Sequence, residues 1–338
     1  MEFINLGRSG LRVSRLCLGC MGFGSSGEGN QAWALSYDDA LPVARKAVEA
    51  GINFFDTANV YSAGASEEVT GRIVRELLPR DEAVIATKVG LSNAPDPHDD
   101  TPNRSGLSRK HIMAQLDRSL ERLGVDHIDL YIVHRFDHRT PIEETMRALD
   151  DAVRSGKVRY IGASSMHAHE FVQMQEAVRA AGLERFVSMQ NFYNLAWREE
   201  DRTMNAYCRQ TGVALTPWSP LGFGFLARDW RKTDRMDSER GRRSVASSRS
   251  VVNIFGSDED YAVVDALQEV ADELGRSMAQ VALAWLLQRP GITSPVFGAT
   301  KPQHVADAVA AVDLKLDANQ LERLDNAYTW VRQLGFYQ

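Results

Sequence analysis

Cysteine is scarce: the 338 residues hold three, Cys17, Cys20 and Cys208. A disulfide framework is therefore excluded as the basis of stability. Cys17 and Cys20 have C-x-x-C spacing, but both fall in the strand-like run Arg15-Leu-Cys-Leu-Gly-Cys-Met21. A thioredoxin-like pair would place its second cysteine on a helix. They read instead as two small packing residues in a reducing compartment. Long apolar runs are missing as well. No stretch of 18 such residues occurs, and no charged region followed by an apolar one opens the chain. The expectation is a soluble, cytoplasmic protein with no membrane partner. Nor is there an excess of positive charge: the formal net charge of −6 disfavours nucleic acid and anionic membranes. Metal-ligand spacings are thin too. His167-Ala-His169 has no acid or cysteine partner at a set distance, so no metal is expected.

What the chain does have is 44% hydrophobic residues, enough for a sizeable core, arranged in a repeating order. A hairpin opens it, with Phe3 to Leu6 and Leu11 to Val13 around a Gly-Arg-Ser-Gly turn. Short apolar runs then recur near 15–21, 52–56, 83–88, 128–133, 158–163, 187–191, 213–218 and 294–298, with longer amphipathic stretches between them. Eight strands alternating with helices predict a single-domain α/β fold over 1–338, a closed parallel (β/α)8 TIM barrel with an N-terminal β-hairpin. Helix starts are readable at Ser108 and at Thr140-Pro141, where Thr140 is the expected cap and Pro141 falls in the first turn. Asp258 to Leu274 and Met278 to Leu287 predict two successive helices, and Asp317 to Tyr328 an extra C-terminal one. Two segments break the pattern. Pro95 to Arg104 is a polar loop. The stretch 222–257 has little periodicity and carries eight basic and four acidic residues between Arg228 and Arg249. A loop of that length is either a solvated surface segment or a lid over a phosphate-bearing cofactor.

Four polar residues sit at or just past the strand-like runs: Asp56, Tyr61, Lys88 and His134. In a parallel barrel the strand ends that carry chemistry open onto one face, so these four are expected in one pocket. Alone, each has a plainer reading: a turn-capping aspartate, an interface tyrosine, a loop histidine. Lys88 is harder to dismiss, because a lysine ending an apolar strand is costly to bury unpaired. Together they make a proton-donating site for a carbonyl. Tyr61 is the general acid, Lys88 its modulator, and Asp56 the group that holds Lys88 charged; His134 orients the substrate oxygen.

Asn53-Phe-Phe-Asp-Thr-Ala-Asn-Val-Tyr61 and Ile85-Ala-Thr-Lys88 resemble segments of the aldo-keto reductase superfamily, and the likeness runs the length of the chain. His134-Arg-Phe-Asp137 and Ile161-Gly-Ala-Ser-Ser-Met166 are most similar to its aryl-alcohol-dehydrogenase-like branch. The resemblance implies the same four catalytic roles and a nicotinamide cofactor across the barrel mouth. Ser164, Ser165 and Gln190 match positions that bond the nicotinamide amide, and Trp218 the aromatic that stacks on the ring. Ser219 and Leu221 begin the pyrophosphate-covering loop. Gly298, Thr300 and Lys301 match the phosphate turn of the adenosine half. A lysine there suits a 2′-phosphate, so NADP(H) is implied, with NAD(H) as the alternative. Gly22 opens Gly22-Phe-Gly24-Ser-Ser-Gly27, which fits a Rossmann fingerprint in letters only, because no helix follows its last glycine. It reads as a glycine loop lining the barrel mouth. Two positions depart from the family: Ser165 replaces a usual Asn, and Ala308 replaces the Asn that reads adenine. The implied function is reduction of aromatic or bulky aldehydes and ketones, with Phe23, Trp33, Trp330, Phe336 and Tyr337 expected near the mouth. The rival reading is a cofactor-binding sensor subunit with little turnover, which a turnover assay separates. A metal-dependent barrel hydrolase would need more strand-end histidines and acids than His134 and Asp56.

Overall fold

The computed structural model describes residues 1–24, 34–92, 101–232 and 254–330. The opening hairpin pairs β1 (Phe3–Asn5) with β2 (Arg12–Ser14), antiparallel, Ile4 opposite Val13. The barrel strands are β3 (Cys17–Gly19), β4 (Phe54–Asp56), β5 (Val84–Val89), β6 (Ile128–Val133), β7 (Val158–Ser164), β8 (Phe186–Gln190), β9 (Ala214–Leu215) and β10 (Val296–Gly298). All are parallel, in the order β10-β3-β4-β5-β6-β7-β8-β9. The sheet closes between β9 and β10 through two bridges, Leu215 with Ile292 and Trp218 with Val296. Thr293 N–H donates to the Leu215 carbonyl and Val296 N–H to that of Pro217, both at 2.8 Å. The expected (β/α)8 barrel is thus the fold observed.

Ten α-helices are described: α1 (Tyr37–Glu49), α2 (Ala65–Leu77), α3 (Arg109–Leu123), α4 (Ile142–Arg154), α5 (Ala168–Ala181), α6 (Met204–Thr211), α7 (Asp258–Leu274), α8 (Met278–Leu287), α9 (Pro302–Ala310) and α10 (Ala318–Asn326). Their caps follow local chemistry. The hydroxyls of Ser108, Ser257 and Ser277 and the carboxylate of Asp317 accept from backbone N–H groups of the first turns. One expected cap is corrected. Pro141, not Thr140, is the residue flanking α4, and the Thr140 hydroxyl donates to Asp137 Oδ2 at 2.7 Å instead. The acid three residues upstream competes for that hydroxyl, which the local pattern does not reveal. Within the 222–257 stretch, Gly222–Ala227 forms a 3-10 helix. Residues 233–253 of the expected cofactor-covering loop lie outside the described residues, as do 95–100 of the Pro95 loop. Among the described residues no helix is long and apolar enough to cross a membrane.

Because strand side chains alternate, each strand turns one set inward and one toward the helices. The inward set is apolar at the N-terminal end: Cys17, Phe54, Val84, Ala86, Leu130, Ile132 and Ala214 cluster with Leu6 and Val13 of the hairpin. The hairpin therefore stoppers that end. Arg8 N–H donates to the Gly212 carbonyl at 3.0 Å, and Gly7 has φ +60° with a Cβ there falling 2.6 Å from the same oxygen. Stepping two residues toward the C-terminal end, the inward positions become Asp56, Lys88, His134, Ser164 and Gln190. Packing decides which way the barrel can open: the apolar end is plugged and the polar end carries the site.

Candidate active site

Asp56 ends β4 and pairs in register with Ala86 of β5, which places Lys88 two residues farther on the same inward face. Lys88 is fully buried, and all three of its N–H bonds are assigned. They go to Asp56 Oδ1 at 2.5 Å, the Thr57 carbonyl at 2.8 Å and the Tyr61 hydroxyl at 3.3 Å. Burial pulls the Lys88 pKa down, and the charges of Asp56 and Tyr61 more than offset this, so the net direction is upward. The amine is held as an ammonium. The second oxygen of Asp56 accepts from Gln190 Nε2 at 2.7 Å.

Tyr61 opens a 3-10 turn, Tyr61–Gly64, in which Ser62 and Ala63 take positive φ, 48° and 54°. The turn is held from behind. Thr57 Oγ1 and Ser66 Oγ lie 2.8 Å apart, and Ser66 Oγ donates to the Cys20 carbonyl at 2.7 Å. Since that hydroxyl spends its proton on Cys20, Thr57 is the donor to Ser66. His134 follows β6 directly, and its backbone N–H donates to the Val89 carbonyl at 2.8 Å. Its ring stands edge-on to Tyr61, centroids 5.9 Å apart at 85°. The four residues picked from the sequence therefore meet in one place.

Around them lie the residues matched to a cofactor. Ser164 Oγ donates to the Gln190 carbonyl at 2.7 Å and sits 3.2 Å from Ser165 Oγ. Ser165 Oγ accepts from Trp218 Nε1 at 3.0 Å, so the indole is fixed in plane. Ser165 and Ser219 both have positive φ, 46° and 51°. With Ser62, Ala63 and Phe223 (φ 56°), five non-glycine residues in this unfavourable region gather where strands end. Such conformations persist only where the surroundings over-determine them. Leu221 flanks the 3-10 helix that follows. Gly22 closes a 3-10 turn after β3, its carbonyl accepting from Leu35 N–H at 2.7 Å. Gly298 pairs with Gly19, which pairs with Asp56, so the three share one level. Thr300 N–H donates to His304 Nδ1 at 3.3 Å, and exposed Lys301 precedes α9, with Pro302 at its first position. Ala308 is a buried core position of α9.

Of the aromatics expected near the mouth, Phe23 is buried in the outer core, its carbonyl 3.5 Å from Ser62 Oγ of the Tyr61–Gly64 turn, and Trp330, 44% exposed, lies against Tyr328 and Arg202. Trp33, Phe336 and Tyr337 lie outside the described residues. Cys17 and Cys20 are free and buried; burial pushes Cys20 up to about 12 and Cys17 well above the usual thiol range, as suits packing residues. His167 and His169 stack ring on ring at 5.5 Å. Three features had no clear sequence signal. The Thr57 carbonyl is backbone, the Gln190–Asp56 bond joins distant strands, and Glu200 sits in a 3-10 turn after β8. Burial raises the Glu200 carboxyl to about 8, against a bond from Asn191. The Asn191 backbone carbonyl in turn accepts the backbone N–H of Trp218 at 2.9 Å.

The arrangement can hold a cationic amine against a phenol and leave the phenol's own proton facing the barrel mouth. Residues 15–329 match the aldo/keto reductase family. The versiconal hemiacetal acetate reductase of Aspergillus parasiticus is 43% identical, covering 97% of this chain and 97% of its own. The aldo-keto reductase dtxS3 of Metarhizium robertsii is 39% identical over 99% of this chain and 93% of its own. The putative aryl-alcohol dehydrogenase AAD16 of Saccharomyces cerevisiae is 34% identical over 98% of both. Barrel, strand-end constellation and full-length similarity together make this chain a member of the aldo/keto reductase family, an oxidoreductase.

Proposed function

We propose that the protein reduces aldehydes or ketones to alcohols with NADP(H), Tyr61 giving the proton. The observation that carries this is the saturated Lys88 ammonium. Because the Tyr61 oxygen accepts from Lys88, its O–H is left to point at a carbonyl oxygen in the mouth. When that proton leaves, the phenolate forms beside a buried cation, which stabilises it. Asp56 keeps Lys88 in place, and His134, edge-on to Tyr61, orients the carbonyl oxygen.

The residues at the mouth fit a nicotinamide dinucleotide. Gln190 Oε1 has no partner among the described residues, which suits an amide N–H. Gly298 has open space where a Cβ would stand, so backbone can approach a phosphate. Lys301 is a cation without an acidic partner among the described residues, at the start of a helix. Ser164, Ser165 and Gln190 would hold the carboxamide, Trp218 the ring face, Ser219 and Leu221 with Gly22 the bridging phosphates, and Gly298, Thr300 and Lys301 the adenosine phosphate. Bound there, the cofactor supplies the hydride. The relatives' names, a hemiacetal acetate reductase and putative aryl-alcohol dehydrogenases, support aromatic or bulky carbonyl substrates.

The test is NADPH oxidation against a panel of aldehydes, ketones and quinones, with Tyr61→Phe as control. Loss of the acid should cost ~10²–10⁴ in turnover while cofactor still binds. Turnover within about threefold of the parent would remove Tyr61 from the role.

A further inference from the structure

Gln190 ends β8, is buried, and donates from its amide nitrogen to Asp56 Oδ2 at 2.7 Å. Asp56 thus has one oxygen on Lys88 and the other on Gln190. Gln190 is itself held: its backbone carbonyl accepts from Ser164 Oγ at 2.7 Å and from Ser165 N–H at 3.2 Å. Ser165 Oγ in turn takes the indole N–H of Trp218. A continuous chain of bonds therefore runs Trp218–Ser165–Gln190–Asp56–Lys88–Tyr61, from the aromatic ring on one side of the mouth to the proton donor on the other.

We propose that Gln190 is a positioning residue for the proton donor: it clamps Asp56 so that Lys88 faces Tyr61, and couples occupancy of the cofactor site to the geometry of the acid. This rests on the reading of Tyr61 as donor. An amide is planar, and the torsion that sets its plane is soft. A partner on Oε1 fixes that plane and with it the N–H aimed at Asp56. Without that N–H, Asp56 keeps a buried oxygen unpaired, and the carboxylate is free to turn away from Lys88.

Two substitutions test it. Gln190→Met removes the clamp. At saturating NADPH its kcat should fall by about tenfold or more, beyond any loss of affinity measured by fluorescence titration. Gln190→Glu puts a second carboxyl beside Asp56, and two such groups share a proton. Its turnover should recover toward acid pH, where the introduced carboxyl is protonated and donates as the amide did. The cofactor-free protein gives an independent readout: with this substitution its unfolding free energy should fall with rising pH more steeply than the parent's. The other titratable groups facing this point, Asp56, Lys88, Tyr61 and His134 with Cys17 and Cys20 behind them, are common to parent and variant, so the difference between the two reports the introduced carboxyl and its coupling to Asp56. The proposal is overturned if Gln190→Met turns over within about threefold of the parent at saturating cofactor, with only Kd changed. It is equally overturned if Gln190→Glu has the parent's pH profiles. Failure of the donor assignment is seen separately, as turnover that survives Tyr61→Phe.

Discussion

Glu200 gives a stability prediction that is independent of catalysis. It is 7% exposed, and burial raises its carboxyl from 4.5 to about 8. Unfolded, the same carboxyl titrates near its ordinary value. Between those two pH values the folded chain keeps a proton that the unfolded chain releases, so folding takes up a proton. Stability from this group is therefore fully present below about 4.5, declines as pH rises, and is gone above about 8. At about 1.4 kcal/mol per pH unit, the whole span amounts to a ceiling on the order of 5 kcal/mol. Glu200→Gln has the same shape, keeps an acceptor for Asn191, and cannot ionise. Its urea unfolding free energy, followed from pH 5 to 9 in one buffer series, should match the parent's at the acid end. At the alkaline end it should exceed the parent's by roughly 2–5 kcal/mol. Parallel curves for the two proteins would mean that the carboxyl is ionised in the fold and that the burial argument is wrong.

Lys88→Met should slow reduction steeply and abolish the pH dependence tied to the donor. It should also destabilise by about 3–5 kcal/mol by leaving Asp56 buried without its cation, a loss that adding Asp56→Asn recovers while turnover stays low; an unchanged pH–rate profile would remove Lys88 from the role. Lys301→Ala should weaken NADPH more than NADH in fluorescence titrations, by roughly 1.5–3 kcal/mol, since only NADPH offers the 2′-phosphate; equal losses would refute it. Gly162→Ala would put a Cβ 2.5 Å from Ser188 Oγ inside the barrel. It should cost about 1–3 kcal/mol in thermal or urea unfolding, relieved by adding Ser188→Ala; no loss in the single variant would show that this layer is loosely packed.

Much of the fold is legible from where apolar runs stop. Alternation fixes which residues of a strand share a face, and a parallel barrel sends all strand ends one way, so Asp56, Lys88 and His134 converge without knowledge of any loop. Burial depth and long-range partners are a different kind of information. Phe23 shows this: an aromatic just past β3 is as consistent with an open mouth as with the buried place it takes. Thr140 shows it locally, since an acid three residues away claims its hydroxyl. Gln190 matched a cofactor position by likeness, yet its bond to Asp56 depends on register across the barrel. Ala308 reads as a missing adenine contact, while the helix turns that position into the core.

The way the barrel closes has a consequence for synthesis. One edge of β3 is covered only by β10, Cys17 pairing with Val296, and β9 gains its last neighbour through Ile292 and Val296. At 5–20 residues per second, the ribosome needs roughly 15–60 s to pass from the first partner to the second. Until then the nascent sheet carries two bare edges of unpaired N–H and C=O groups, the kind of surface that recruits foreign strands. A chain truncated before residue 296 keeps both edges for good, and aggregation rather than a smaller folded barrel is its expected fate.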